Sequence, residues 1–393
     1  MRNLPRIILK KGKEKPLLRG HPWVFSGAVA KIEGELSPGD LGEVYSKGGQ
    51  FLGMGHLNPA SQIVLRLLTQ KKEPVGIPFF KERISRAARL RDTFLKGKTN
   101  GYRIVNGEGD MLPGLIVDRY GETLVLQSLT AGMEKLKGSL VDLLISEFKP
   151  RSIYERSDVD TRRQEDLPEV TGLLFGREVS DRIEIEEYGY HFQVDVKGGQ
   201  KTGFYLDQRE NRSDLKNLSR GSKVLDCFSY TGAFSIYAGL GGAEEVTLID
   251  SSEEALKRAE EHFRLNALEH IPHRFIRGDA FEMLRSLEPG YDLVILDPPP
   301  FAKRKGHLAG ASRGYKDLNL QAFRLLKKGG FLFTFSCSHH MSWDLFQKII
   351  FSAAADGGKE VQLVGRRGQP VDHPINLCHP EGEYLKGFLC RVL

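Results

Sequence analysis

Cysteine is scarce in this chain of 393 residues: there are four, Cys227, Cys337, Cys378 and Cys390. They are too few and too scattered for a disulfide framework, and none falls into a CxxC or His/Cys zinc spacing, so no metal site is expected. No apolar run approaches the roughly 18 residues of a membrane span. The first residues, MRNLPRIILKKGKEK, lack an apolar segment followed by a small-residue cleavage site. A reducing, cytoplasmic setting without membrane attachment is therefore expected. Internal repeats, low-complexity tracts and the GxGxxG fingerprint are missing as well, and the last absence weighs against a nicotinamide-dependent oxidoreductase.

What is present is an ordinary globular composition, 40% hydrophobic and 27% charged, enough for two or three domains. The net charge of +6 is uneven. Residues 1–72 carry twelve Lys/Arg against five Asp/Glu, a balance of +7, and the rest of the chain carries −1. A basic first segment on a neutral body points to a polyanionic partner.

Three blocks separate. Residues 1–72 hold short strand-like runs cut by Gly and Pro, such as RGHPWVF, LGEVYS and IVLRLL, which predict a small β-barrel or sandwich. Residues 73–188 open with a linker and a helix from Phe79 to about Leu95. A hairpin with Tyr120-Gly121-Glu122 near its turn and a helix over 134–147 follow, giving a small α+β module. Residues 189–393 alternate apolar strands (KVLDCF, EVTLID, HRFIRGD, DLVILD, FLFTFSC) with helical patterns, LNLQAFRLLKKGG among the latter. That alternation predicts βαβ units around a parallel sheet, with ligands at the carboxyl ends of the strands.

Those strand ends carry the chemistry. The first strand runs into Asp226-Cys227-Phe228-Ser229-Tyr230-Thr231-Gly232, a turn with one glycine, which suits a nucleoside ligand without a pyrophosphate. The second ends at Asp250, where a carboxylate can accept both ribose hydroxyls. The third leads to Asp279-Ala280, suited to an adenine amino group and ring nitrogen. Each Asp alone reads equally as a helix N-cap. Three in register describe an adenosine pocket with a small charged group near Asp226, which fits S-adenosylmethionine. The fourth strand ends in Asp297-Pro298-Pro299-Pro300-Phe301. There the prolines fix the backbone, Asp297 points into the cleft and Phe301 can stack on a planar base. The fifth ends in Ser336-Cys337-Ser338-His339-His340. A thiolate there can add to C6 of cytosine and make C5 nucleophilic, with Asp297 near N3 and a histidine as proton relay. Cys227, Cys378 and Cys390 are expected only to pack.

On RGHPWVFSGAV, VNGEGDMLPGLIVDRYGETLVLQ, KTGFYLDQRENR, VLDCFSYTGAFS, LDPPPFAK, SRGYKDLN and FSCSHH, in this order along the whole chain, the protein resembles a family. These are the PUA-domain class I methyltransferases that form 5-methylcytosine in 23S ribosomal RNA. The resemblance implies an α/β fold: a C-terminal class I, Rossmann-like methyltransferase domain preceded by a small β PUA domain and a small α+β domain. It implies S-adenosylmethionine enclosed by Phe204, Gln208 and Arg209, its methionine end wrapped by Phe228, Ser229, Tyr230 and Thr231. Asp250 and Ser251 would hold the ribose, and Asp279 and Ala280 the adenine. Asp297 and Phe301 would meet the base, and Cys337 would be the nucleophile. RNA contacts are expected from Lys10, Lys11, Lys13, Arg19 and His21. A mobile lid over 303–316 is expected to add Lys303, Lys305, Arg313 and Lys316, with Gly306, Gly310 and Gly314 favouring its motion. The resemblance also suggests a homodimer. One feature departs from many RNA cytosine-5 methyltransferases: Pro299 or Pro300 stands where they carry a second cysteine. Methylation of a base nitrogen, without covalent catalysis, and a non-catalytic RNA-binding assembly factor are the competing functions.

Overall fold

The computed structural model describes residues 4–302 and 304–393, the side chain of Lys305 excepted. The expectations for Lys303 and for the Lys305 side chain lie outside the described residues. The chain divides into two compact units. One holds residues up to 189 with 194–206 and 371–382; the other holds 190–193, 207–370 and 383–393.

The first unit begins with a six-stranded sheet. Its order is Trp23–Phe25, Ile63–Thr69, Phe51–Leu57, Leu41–Tyr45, Arg6–Leu9, Val29–Glu33. Gly42 and Val44 are buried while Leu41, Glu43 and Tyr45 are half-buried, the period of two that puts alternate side chains on one face. Ile7, Leu9, Val24, Val44, Leu57 and Leu65 form its core. A five-stranded sheet follows in the order Val170–Gly176, Ser152–Ser157, Thr123–Ser128, Leu115–Tyr120, Gly101–Asn106. The expected hairpin closes where Tyr120 pairs with Thr123, with Gly121 at φ +59°. The helix Ile77–Leu95 buries Phe80, Ile84, Ala87, Arg91 and Leu95 as one stripe. Arg91 is tolerated there because its guanidinium donates to both carboxylate oxygens of Asp110, at 2.6 and 2.8 Å, and to the Asp372 carbonyl at 2.7 Å. Cys378 is exposed in this unit, in the irregular segment 371–382, and does not pack in a strand as expected.

The second unit is built on a seven-stranded sheet, numbered here in chain order. The strands are β1 (Lys223–Cys227), β2 (Glu245–Asp250), β3 (His273–Arg277), β4 (Tyr291–Leu296), β5 (Leu326–Ser336), β6 (Val361–Arg367) and β7 (Lys386–Val392). Their spatial order is β3-β2-β1-β4-β5-β7-β6. The first five are parallel, and β7 is antiparallel to both of its neighbours. The central parallel strands hold apolar stretches because both faces are covered: Leu225, Cys227, Ile249, Val294, Leu296 and Leu332 are all buried, whereas no residue of the edge strand β3, HRFIR, is fully buried. In β7, Cys390 is buried as expected.

Two expectations fail in the stretch before β5. The helix expected over LNLQAFRLLKKGG starts and stops earlier, at Leu308–Leu325. Leu326 already pairs with Tyr291 in the sheet, and Gly329 sits at φ +84°, outside helical geometry. The same helix replaces most of the expected mobile lid over 303–316. Ala311, Tyr315, Leu318, Ala322 and Leu325 are its buried stripe. Burying that stripe outweighs the roughly 1 kcal/mol that each of Gly310 and Gly314 costs a helix.

Candidate active site

Five strand ends, those of β1 to β5, carry the expected groups. At the end of β1, Asp226 is 1% exposed. One of its carboxylate oxygens accepts from Ser235 Oγ at 2.7 Å; the other has no hydrogen-bond partner. Burial pushes this carboxyl up to about 7. The Ser235 hydrogen bonds oppose that shift, and the charges of Asp297 and Asp250 add to it. The turn that follows places Phe228, Tyr230 and Gly232 at φ +62°, +49° and +74°. Left-handed backbone at two aromatic residues costs about 1–3 kcal/mol each and persists only where the surroundings over-determine it. They do here. Ser229 N donates to Ile249 O at 3.0 Å. Tyr230 N donates to Asp250 Oδ2 at 2.8 Å, and Thr231 O lies 2.8 Å from the His262 ring. The alternation turns Ser229 and Thr231 inward, and both buried hydroxyls lack partners. A cluster of unpartnered acceptors, one a buried carboxylate, fits a ligand with cationic groups and hydrogen-bond donors.

Asp250 is held by two backbone bonds, from Tyr230 N and from Ser252 N, both at 2.8 Å. Each oxygen retains a further lone pair. Ser251 beside it is exposed. Asp279 caps the helix Ala280–Ser286, accepting from Phe281 N at 2.7 Å, so one oxygen performs the capping role that its position allows. Ala280 is buried. Gln208 and Arg209 are buried at the start of the helix Arg209–Lys216, and Gln208 Oε1 accepts from Asn211. Phe204 is buried too, but belongs to the first unit.

At the ends of β4 and β5 two turns are stitched together. The Cys337 thiol is half-buried and donates to the Pro298 carbonyl at 3.8 Å. Ala302 N donates to Ser338 Oγ at 3.3 Å. Tyr315, from the helix Leu308–Leu325, reaches both serines that flank the cysteine. Ser336 Oγ donates to its hydroxyl at 3.0 Å, and Ser338 Oγ lies 3.2 Å from it. Burial pushes the Tyr315 phenol up to about 12, so it stays neutral. Phe301 packs against Tyr315 and Phe281, with ring centroids 4.7 and 5.8 Å away. Beneath the turn, Lys386 donates to the carbonyls of Ser338 and Tyr384 at 3.2 and 3.1 Å. Tyr315 and Lys386 were not anticipated. The only sequence signal for Lys386 is a charge at the head of the apolar run KGFLCRV.

The first group of expected RNA-binding residues belongs to the other unit. Lys10, Lys11, Lys13 and Arg19 are exposed along one stretch of the first sheet's periphery, and Lys10 Nζ donates to Gly27 O at 2.9 Å. His21 is more enclosed: its ring lies 3.4 Å from Glu381 and faces Trp23 and His379. In the second unit, Arg313 is exposed, whereas Lys316 pairs with Asp356 at 2.7 Å.

Comparison with known proteins bears on both parts of the chain. Residues 7–70 match a PUA-like domain family, and residues 162–375 match the S-adenosylmethionine-dependent methyltransferase family. The ribosomal RNA large subunit methyltransferase I of Salmonella arizonae is 45% identical over 396 residues, covering 100% of this chain and 98% of that protein. Its counterpart in Escherichia coli O139:H28 is 44% identical over 393 residues, 99% of each. The chain belongs to the ribosomal RNA large subunit methyltransferase I family. As a member it is an S-adenosylmethionine-dependent methyltransferase, with a PUA-like β domain, a middle α/β domain and a Rossmann-like methyltransferase domain. A protein described as a SAM-dependent methyltransferase from Streptococcus mutans has the same fold (26% identity, TM-score 0.85, covering 98% of this chain and 100% of that one). So does the methyltransferase SMU.776, solved in complex with SAH (26% identity, TM-score 0.86, covering 98% and 100%). The inward hydroxyls and the half-satisfied Asp226 carboxylate fit the cofactor that this family uses.

Proposed function

We propose that the protein methylates C5 of a cytosine in large-subunit (23S) ribosomal RNA in the cytoplasm, with Cys337 as covalent nucleophile. The observation that carries this reading is the Cys337 sulfur, 3.8 Å from the Pro298 carbonyl. A nucleophile at the end of β5 thereby meets the Asp-Pro-Pro-Pro-Phe turn at the end of β4. The name shared by the relatives supplies the substrate class.

Gln208, Arg209, Asp226, the Phe228–Thr231 turn, Asp250, Ser251, Asp279 and Ala280 would hold S-adenosylmethionine. That cofactor supplies a methyl group on a cationic sulfur. Asp297 sits beside the thiol's partner, where its carboxyl can meet the N3 edge of cytosine. The Cys337 thiolate adds to C6, and the electron pair of the C5–C6 double bond becomes available at C5. C5 takes the methyl group. A base then removes the C5 proton, the double bond re-forms, and the C6–sulfur bond breaks to return the thiolate. Phe301, whose ring packs against Tyr315 and Phe281, would flank the base. Pro299 and Pro300 offer no second thiol, so proton removal falls to water, Asp297 or a histidine. The exposed Lys10, Lys11, Lys13 and Arg19 would bind phosphates of structured RNA; Arg313 and Lys316, on the helix beside the site, would add to this near the target.

The test is methyl transfer from labelled S-adenosylmethionine to unmodified ribosomal RNA, by wild type and by Cys337→Ala, with the product digested and weighed as nucleosides. A 5-methylcytidine product that vanishes with Cys337→Ala is expected. A methylated purine made equally well by the variant would overturn the proposal in favour of base-nitrogen methylation. RNA binding without cofactor binding would leave an assembly factor.

A further inference from the structure

Lys386 is the first residue of β7 and lies directly opposite Ser336 in the antiparallel pair with β5. It is 3% exposed, and a buried ammonium is costly unless its charge is answered. Among the described residues no carboxylate lies within 4 Å of it. Its two hydrogen bonds go to backbone carbonyls, Ser338 O at 3.2 Å and Tyr384 O at 3.1 Å, and an ammonium has a third proton to give. Burial pushes its pKa down, and two groups oppose that: Glu383, exposed and so screened by solvent, and Cys337 once it is a thiolate. Tyr315 at this turn is neutral and bonded to Ser336 and Ser338, while the His339 ring lies 5.9 Å from that of Tyr384, whose hydroxyl donates to Asp207 at 2.8 Å. A cation has thus been fixed in the interior one residue from the cysteine, and the buried surroundings leave it short of a counter-charge.

We propose that Lys386 is the positioning residue that makes Cys337 a nucleophile: it ties the Ser338 carbonyl and supplies the positive charge that a Cys337 thiolate answers. Deprotonation of the thiol then completes an ion pair with Lys386, and addition to C6 spends the thiolate charge while Lys386 stays protonated. A cation beside a cysteine favours the thiolate. The idea rests on reading Cys337 as the nucleophile, but its test does not use RNA.

The experiment is iodoacetamide labelling of the full-length protein across pH, with each cysteine followed by peptide mass spectrometry. Cys378, exposed and in the other unit, is the internal reference; Cys227 and Cys390 are buried. In wild type the labelling midpoint of Cys337 should fall at least about one pH unit below that of Cys378. In Lys386→Met the Cys337 midpoint should rise by about one unit, a roughly tenfold loss of thiolate near neutrality, with Cys378 unmoved. Lys386→Arg, which keeps the charge, should stay close to wild type. An unchanged Cys337 midpoint in a folded Lys386→Met overturns the proposal and leaves Lys386 a structural tie. Should Lys386→Met not fold, wild type decides: a Cys337 midpoint at or above that of Cys378 overturns the proposal, and one below supports it. If Cys337→Ala keeps full methyl transfer, the nucleophile reading falls, whatever the labelling shows.

Discussion

Replacing Asp226 by Asn should stabilise the cofactor-free protein at pH 8 while impairing its function. Asp226 is fully enclosed and its carboxyl is pushed from 3.8 up to about 7. A carboxyl whose folded value lies above its unfolded value stabilises the fold only while protonated. That contribution is present below the unfolded value and is lost as pH rises through about 7. A shift of about three units corresponds to about 4 kcal/mol of lost stability at pH 8. Asn keeps an oxygen for the Ser235 hydroxyl, but its amide hydrogens meet no acceptor, which costs about 1–3 kcal/mol. The net expectation is a gain of about 1–3 kcal/mol at pH 8, shrinking toward pH 5, read from urea denaturation midpoints at both pH values. Cofactor affinity should move the opposite way. Wild type should bind S-adenosylmethionine about tenfold more weakly at pH 6 than at pH 8, because the carboxylate must be ionised to meet a cation. Asp226→Asn should bind weakly at both, as calorimetry would show. An Asn variant less stable than wild type at pH 8, or a wild-type affinity flat across this range, would refute the argument.

Arg91→Leu should cost about 3–5 kcal/mol, because it leaves the Asp110 carboxylate buried with its main partner gone; chemical denaturation monitored on the first unit checks this. Tyr315→Phe removes the acceptor of the Ser336 hydroxyl, a loss of about 1–3 kcal/mol. It should lower kcat for methyl transfer with the KM for S-adenosylmethionine unchanged, as steady-state kinetics would show. Alanine at Lys10, Lys11, Lys13 and Arg19 together should weaken RNA binding uniformly across sequences. The slope of log affinity against log salt should fall by about one for each RNA phosphate no longer neutralised, with cofactor affinity untouched.

The acidic groups of the site were legible in the sequence for a physical reason. Central strands of a parallel sheet are buried on both faces, so they read as largely apolar runs, and the polar residue that ends such a run is the one expected at the ligand-binding edge; the edge strand before Asp279, HRFIR, carries this signal least. Asp226, Asp250, Asp297 and Cys337 announce themselves this way. The conformation of the first turn does not. Nothing in Phe228-Ser229-Tyr230 predicts left-handed backbone at two aromatic residues; it is imposed by bonds from β2 and from His262. Glycines misled in the opposite direction. Gly310 and Gly314 suggested a mobile loop, yet the Ala311–Leu325 stripe overrides their weak preference. His21, a candidate for RNA, faces Glu381 across 360 residues of chain, a pairing that no local pattern carries.

Lys386 shows why the missing part was missing. The chain makes β5, β6 and β7 in that order, but the sheet places β7 between the other two. Only that inversion sets Lys386 opposite Ser336, fifty positions earlier. The strand end at Cys337 is visible locally, because a strand's own hydrophobic period defines where it stops. The charge beside it depends on register between strands far apart in sequence, and register is fixed by which residues bury against which. A one-residue slip of β7 would send Lys386 to the opposite face of the sheet and leave its entire apolar set misplaced. The burial of Phe388, Cys390 and Val392 on one face therefore holds the ammonium under the Cys337 turn.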